Sequence, residues 1–154
     1  MSGVYSPASL YPLRLYLEGI VVIRGVNQVV LYVGDQQVAK RFWTEKMGFT
    51  VAEDSPYGED GRWIAVQSPD GRMRMVLSLR EPGHRPPEAP DGMPTSNIMF
   101  YSDDVERTYR ELTAKGVDFP TAPSKMFFGW WSVFADDEGT RYALGEQWGT
   151  NNSL

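Results

Sequence analysis

The stretch Val26-Asn27-Gln28-Val29-Val30-Leu31-Tyr32-Val33-Gly34-Asp35 is a β-branched, apolar run that ends in a helix-capping residue, and its pattern returns at residues 96–104. Gln28 precedes Asp35 by seven residues, and Asn97 precedes Asp104 by seven. Asp35 reaches Gly48 after thirteen steps and Asp104 reaches Gly116 after twelve, with Phe49 or Val117 following the glycine. Trp63 lies eight residues before Gly71, and Trp131 lies eight before Gly139. Self-similarity of this kind marks two copies of one supersecondary unit.

Working outward, periodicity fills in each copy. Val29, Leu31 and Val33 form one face of the first strand, and Val26, Gln28, Val30 and Tyr32 form the other. Asp35 caps a helix whose Val38, Ala39, Phe42 and Met47 make an apolar stripe. Strands are expected near 49–54, 62–67 and 72–79, punctuated by Tyr57-Gly58 and Ser68-Pro69-Asp70-Gly71. The second copy opens with a strand at 96–101, and Asp103 or Asp104 caps a helix carrying Val105, Tyr109 and Leu112. Strands follow near 117–121, 131–134 and 140–147. Each copy is a βαβββ unit, so the expected fold class is α+β.

The expected domain organisation is an N-terminal extension over 1–24, a first module over 25–80, a linker over 81–95, a second module over 96–148 and a tail over 149–154. The linker holds five of the eleven prolines between Glu81 and Pro94, which suits an extended connection. Within the extension, Leu17 to Ile23 is a candidate added edge strand. The apolar stretch from Leu10 to Ile23 is interrupted by Pro12, Arg14 and Glu18, too short and too polar to span a bilayer.

Composition excludes some partners. A formal charge of −5, with no basic run, disfavours a nucleic-acid backbone. The absence of cysteine excludes disulfides and thiolate metal sites and fits a cytoplasmic location.

The first strand with its Gly34-Asp35 end, the helix end Phe42-Trp43-Thr44-Glu45-Lys46-Met47-Gly48-Phe49 and the turn Phe134-Ala135-Asp136-Asp137-Glu138-Gly139-Thr140 resemble the vicinal oxygen chelate superfamily. That group spans glyoxalases, extradiol dioxygenases and bleomycin-resistance proteins, and the resemblance covers about residues 25–147. It implies two tandem βαβββ modules whose curved mixed sheets enclose a shared pocket, with helices on the outer face. It also implies homodimers.

In metal-using members a ligand stands on the first and last strand of each module. Carried over, these positions are Gln28 and Asn97 on the first strands and Met75 and Ala143 on the last, four residues after Gly71 and Gly139. Two neutral amides, a thioether and a methyl group make a poor cage for a hard divalent ion. No metal and no other cofactor is therefore expected. His84, the only histidine, reads as a solvated linker residue, the alternative being a group near a pocket mouth.

The candidate ligand-binding residues are Gln28, Tyr32, Trp63, Met75, Asn97, Met99, Tyr101, Phe128, Trp130 and Trp131. Rings and amides in this mixture suit a planar or apolar ligand fixed by one or two hydrogen bonds. Trp63 and Trp131 also fit a purely core role. Arg62 fits either a contact to a ligand anion or a solvated strand start, and the acidic Asp54, Glu59 and Asp60 fit a cationic ligand or a solvated hairpin tip. The expected function is sequestration of an aromatic or apolar small molecule, cationic or neutral, with no catalytic residue assigned. The alternative is a diverged glyoxalase-like lyase, isomerase or dioxygenase using a non-standard metal or none, in which Tyr32 or Tyr101 donates a proton. Trp43 and Trp148 are candidate dimer contacts.

Overall fold

The computed structural model describes residues 23–147. The edge strand expected at 17–23, apart from Ile23, and Trp148 lie outside the described residues.

The first module comprises β1 (Val29–Val33), α1 (Gln36–Arg41), a π-helical turn (Phe42–Lys46), β2 (Thr50–Tyr57), β3 (Gly61–Gln67) and β4 (Arg74–Leu79). The second comprises β5 (Met99–Tyr101), α2 (Val105–Ala114), β6 (Asp118–Met126), β7 (Gly129–Ala135) and β8 (Arg141–Gly145). The two four-stranded sheets have the same order, β1-β4-β3-β2 and β5-β8-β7-β6. In each, the first and last strands of the module pair in parallel and the other pairs are antiparallel. This is the α+β architecture of two βαβββ modules.

Local chemistry sets the helix ends. Asp35 Oδ1 accepts the N–H groups of Gln37 (2.8 Å) and Val38 (3.0 Å), and Asp104 Oδ1 accepts that of Arg107 (2.9 Å). The helical segments stop at Gly48 and Gly116, whose φ angles of 75° and 83° are left-handed and suited to glycine.

The π turn changes what the first helix buries. The Met47 N–H bonds to the Phe42 carbonyl at 3.2 Å, and the Thr44 hydroxyl donates back to the Lys40 carbonyl at 2.7 Å. The wider turn lets two consecutive rings, Phe42 and Trp43, face inward, both essentially inaccessible. Trp43 is therefore a core residue and not the exposed interface aromatic expected from the sequence. Its ring lies 5.0 Å from Phe49, 5.2 Å from Phe100 and 5.3 Å from Tyr142. Because Phe100 and Tyr142 belong to the second module, one aromatic core joins the two halves.

Polar contacts join them as well. The Glu138 carboxylate, in the β7–β8 turn, accepts the N–H groups of Gly34 (2.9 Å) and Asp35 (2.7 Å) at the end of β1. Correspondingly, Asp70 in the β3–β4 turn accepts the Tyr101 hydroxyl at 2.6 Å. Lys46 pairs with Asp137 at 2.9 Å.

Candidate functional site

Strand parity decides which side chains turn away from the core. On β1, Leu31 and Val33 are buried, while Val30 and Tyr32 are 46% and 59% exposed. On β5, Phe100 packs into the core, while Met99 and Tyr101 are 61% and 40% exposed. The open face of each sheet therefore carries the residues expected to line a pocket on its first strand.

The register corrects one of the expected positions. Val29 pairs with Met75 and Val30 with Val76, whereas Met99 pairs with Ala143. Cross-strand partners share a face, so Val76 and Ala143 are the matching open-face positions. Met75 lies on the core face with no accessible surface, as does Leu77. The cause is a single extra residue between the turn glycine and the last strand of the first module, which reverses every side chain that follows. Val76 stands five residues after Gly71; Ala143 stands four after Gly139. Neither aliphatic side chain offers a donor atom, and the amides Gln28 and Asn97 precede the two first strands. Among the described residues no group of three or more His, Cys, Asp or Glu side chains is close enough to hold a metal ion.

The aromatic residues divide. Trp63 and Trp131 are half-buried and occupy equivalent places on β3 and β7, on the faces opposite the core residues Ile64 and Ser132. Tyr57 lies 5.8 Å from Trp63, and Phe128 meets Trp131 edge-on at 6.0 Å. Phe128 is half-exposed. Trp130, expected to touch ligand or dimer partner, instead packs against the core with Lys125 6.0 Å above its ring. Adjacent residues on a strand point oppositely, so Trp130 and Trp131 divide between core and open face.

A cavity of about 760 Å³ opens where β1 and the approach to β5 come together beneath the proline-rich linker. It brings together Tyr32 of β1 and Asn97 from the segment leading into β5, with Val30, Ser78, Thr95 and Ser96. Gln28 is half-buried just before β1 and, like Met99, Tyr101 and the open-face tryptophans, stands outside this wall.

The linker completes the cavity, contributing Glu81, His84, Arg85 and Pro87, with Arg80 at the end of β4. His84, expected as a solvated linker residue, is exposed and also lines this wall. A turn closed by the His84 N–H on the Glu81 carbonyl (3.1 Å) folds this segment back. Further along, the Arg141 guanidinium donates to the Ala89 carbonyl (2.9 Å) and the Thr121 hydroxyl donates to that of Gly92 (2.6 Å). Proline-rich backbone cannot pair with itself, so these side chains from the second module anchor it. The basic residues flanking Pro82-Gly83 were the available sequence signal for this wall.

Several charges outside the cavity are paired. Asp54 receives Lys40 (2.7 Å) and Arg62 (2.6 Å), and these hydrogen bonds, Lys40 first, hold its carboxyl below the usual range. Arg62 is therefore engaged within its own module, and Asp54 is already neutralised rather than awaiting a cation. Asp70 is held down to about 2 by the hydroxyls of Ser68 and Tyr101 and the N–H of Arg72. Asp136, mostly buried, moves the other way: burial raises it against the hydrogen bonds from Tyr142, Thr140 and Glu138.

This arrangement agrees with comparisons to known proteins. The chain belongs to the Glyoxalase/Bleomycin resistance protein/Dioxygenase superfamily, whose sequence profile matches residues 25–144. It is 34% identical over 125 residues to the uncharacterised protein YetH of Bacillus subtilis strain 168, covering 81% of this chain and all of that one. A superfamily member from Sphaerobacter thermophilus DSM 20745 superposes with a TM-score of 0.70 at 27% identity, over 81% of this chain and 98% of its own. TnmS3, an antibiotic binding protein from Streptomyces sp. CB03234, superposes with a TM-score of 0.63 at 26% identity over the same shares.

Proposed function

We propose that the protein is a metal-independent small-molecule binding protein that sequesters an aromatic or apolar ligand without transforming it. The observation that carries this reading is the set of residues at the family's metal positions. Gln28, Val76, Asn97 and Ala143 supply two neutral amide oxygens and no anionic or imidazole donor, so a hard divalent ion gains little there. A cavity of this volume with apolar walls and a few amides and hydroxyls still suits a drug-sized molecule. The likeness to the antibiotic binding protein TnmS3 supports the same reading.

The open faces support a homodimer. Val30, Tyr32, Met99, Tyr101 and Phe128 are all exposed, and large apolar exposure of this kind is characteristic of association surfaces. A second copy laid over these faces would place Trp63 and Trp131 beside a shared pocket. The acidic charge gives no footing for nucleic acid, and among the described residues no helix is long and apolar enough to cross a membrane. We assign it to the cytoplasm on its lack of cysteine.

The test is a thermal-melt screen of aromatic compounds and antibiotics, followed by mass spectrometry of each compound that raises Tm. Stabilisation by linkage, with the compound recovered unchanged, is the expected result. Stabilisers recovered as products would establish an enzyme instead.

A further inference from the structure

We propose that the ligand carries an anionic group, a carboxylate, sulfonate or phosphate, and that Arg80, Arg85 and His84 receive it at the linker end of the cavity. This rests on the reading of the cavity as a ligand site and specifies the chemistry of what enters it.

The argument starts from charge. The chain as a whole is acidic, yet the cavity wall carries two arginines and the only histidine against one carboxylate, Glu81. Three arginines elsewhere are paired: Arg62 with Asp54, Arg74 with Glu53 and Arg107 with Glu111. Neither Arg80 nor Arg85 has a carboxylate within ion-pair distance among the described residues. Arg80 donates to the Tyr32 carbonyl at 3.3 Å, which orients its guanidinium while leaving further N–H groups for a ligand. The nearby Glu138 carboxylate is held by the N–H groups of Gly34 and Asp35, which already satisfy part of its demand for donors.

Neutral donors add to the cations. Ser78, Thr95, Ser96, Asn97 and Thr140 line the same wall and offer hydroxyl and amide groups suited to oxyanion oxygens. Val30, Ile98, Leu79 and Pro87 in the same lining supply apolar surface for the ligand's body. An apolar body with one acidic group matches this mixture of cationic, polar and apolar lining. A cationic ligand would instead meet two guanidinium groups with Glu81 as the one carboxylate in the wall, and Asp54, outside the cavity, is occupied by Lys40 and Arg62.

Two probes of nearly equal aromatic body separate the charge claim from the binding claim: anilinonaphthalene sulfonate and the neutral N-phenylnaphthylamine. Each is titrated into the full-length protein at neutral pH, with dye fluorescence giving Kd. Carbon–proton NMR follows the ring of His84, whose signals are unique because the chain has no other histidine. The expected result is that the sulfonate binds at least about tenfold tighter and shifts the His84 ring signals. That ratio should fall toward one in the R80Q/R85Q double variant and persist in R85K, which keeps the charge. Equal Kd values with His84 shifted by both dyes would overturn the anionic group and leave the binding site standing. A sulfonate preference untouched by R80Q/R85Q, with His84 unmoved, would place the anion elsewhere and overturn the proposal. If neither dye binds, the binding reading falls with it.

Discussion

The Tyr101 hydroxyl donates to Asp70 Oδ2 at 2.6 Å, and this bond ties the last turn of the first module to the first strand of the second. In its counterpart the N–H groups of Gly34 and Asp35, at the end of the first module's first strand, donate to Glu138 in the last turn of the second. Asp70 and Glu138 each stand immediately before a turn glycine, so the duplicated turn carries the same fastening in both copies.

Acid should loosen the first of these fastenings. Asp70 has its folded pKa depressed from 3.8 to about 2, so its stabilising contribution is complete above 3.8 and disappears as pH falls toward 2. Asp70→Asn, which cannot titrate, should show a smaller loss of Tm across that window than the unaltered protein. Melting curves at a series of acidic pH values measure this, and identical pH profiles would exclude a role for Asp70.

The second fastening should cost little individually because it is near the surface. Glu138→Ala removes the acceptor for two N–H groups and should destabilise by about 1 kcal/mol, a fall in Tm of about 2–4 °C. Combined with Tyr101→Phe, the effects should exceed the sum if both bonds hold the same interface between modules; denaturant unfolding of the single and double variants gives the coupling.

Burial separates the core from the ligand site. Trp43→Ala empties the centre of the joint core and should cost about 3–5 kcal/mol, enough to threaten folding. Met75→Ala should cost about 2–5 kcal/mol while leaving the affinity for a bound probe unaltered, because Met75 faces the core. A loss of affinity in the stably folded fraction of Met75→Ala would mean the strand's faces are assigned the wrong way round.

Asp136 predicts the opposite pH response to Asp70. Its folded pKa is raised, chiefly by burial, so the stability it contributes is present below the ordinary value of 3.8 and is lost as pH rises through the folded value. Asp136→Asn keeps an oxygen acceptor for the Thr140 and Glu138 N–H groups, at 2.9 and 3.0 Å in the present arrangement. Relative to the unaltered protein, this variant should gain stability as pH is raised from below 3.8 to neutrality, read from paired melts.

The fold was legible in the sequence because it is written twice. The Asp caps, helix-ending glycines and tryptophan spacing repeat in step, and strand parity correctly sorted Leu31 from Tyr32. Three features escaped. The face of β4 was misassigned because an alternating pattern is unforgiving of one inserted residue, and Met75 was given a place that belongs to Val76. Trp43 was given to the surface because a regular α-helix would not bury it beside Phe42, and the π turn that does so has no simple sequence signature. The linker wall escaped because the contacts that anchor it, from Arg141 and Thr121, join residues 29 to 52 positions apart.

Metal content tests the central claim most directly: protein purified without chelator is analysed for manganese, iron, cobalt, nickel and zinc. With Gln28, Val76, Asn97 and Ala143 at the family positions, the expected result is far less than one ion per chain. A content near one per chain would contradict metal-independent binding and turn attention to lyase, isomerase and dioxygenase chemistry.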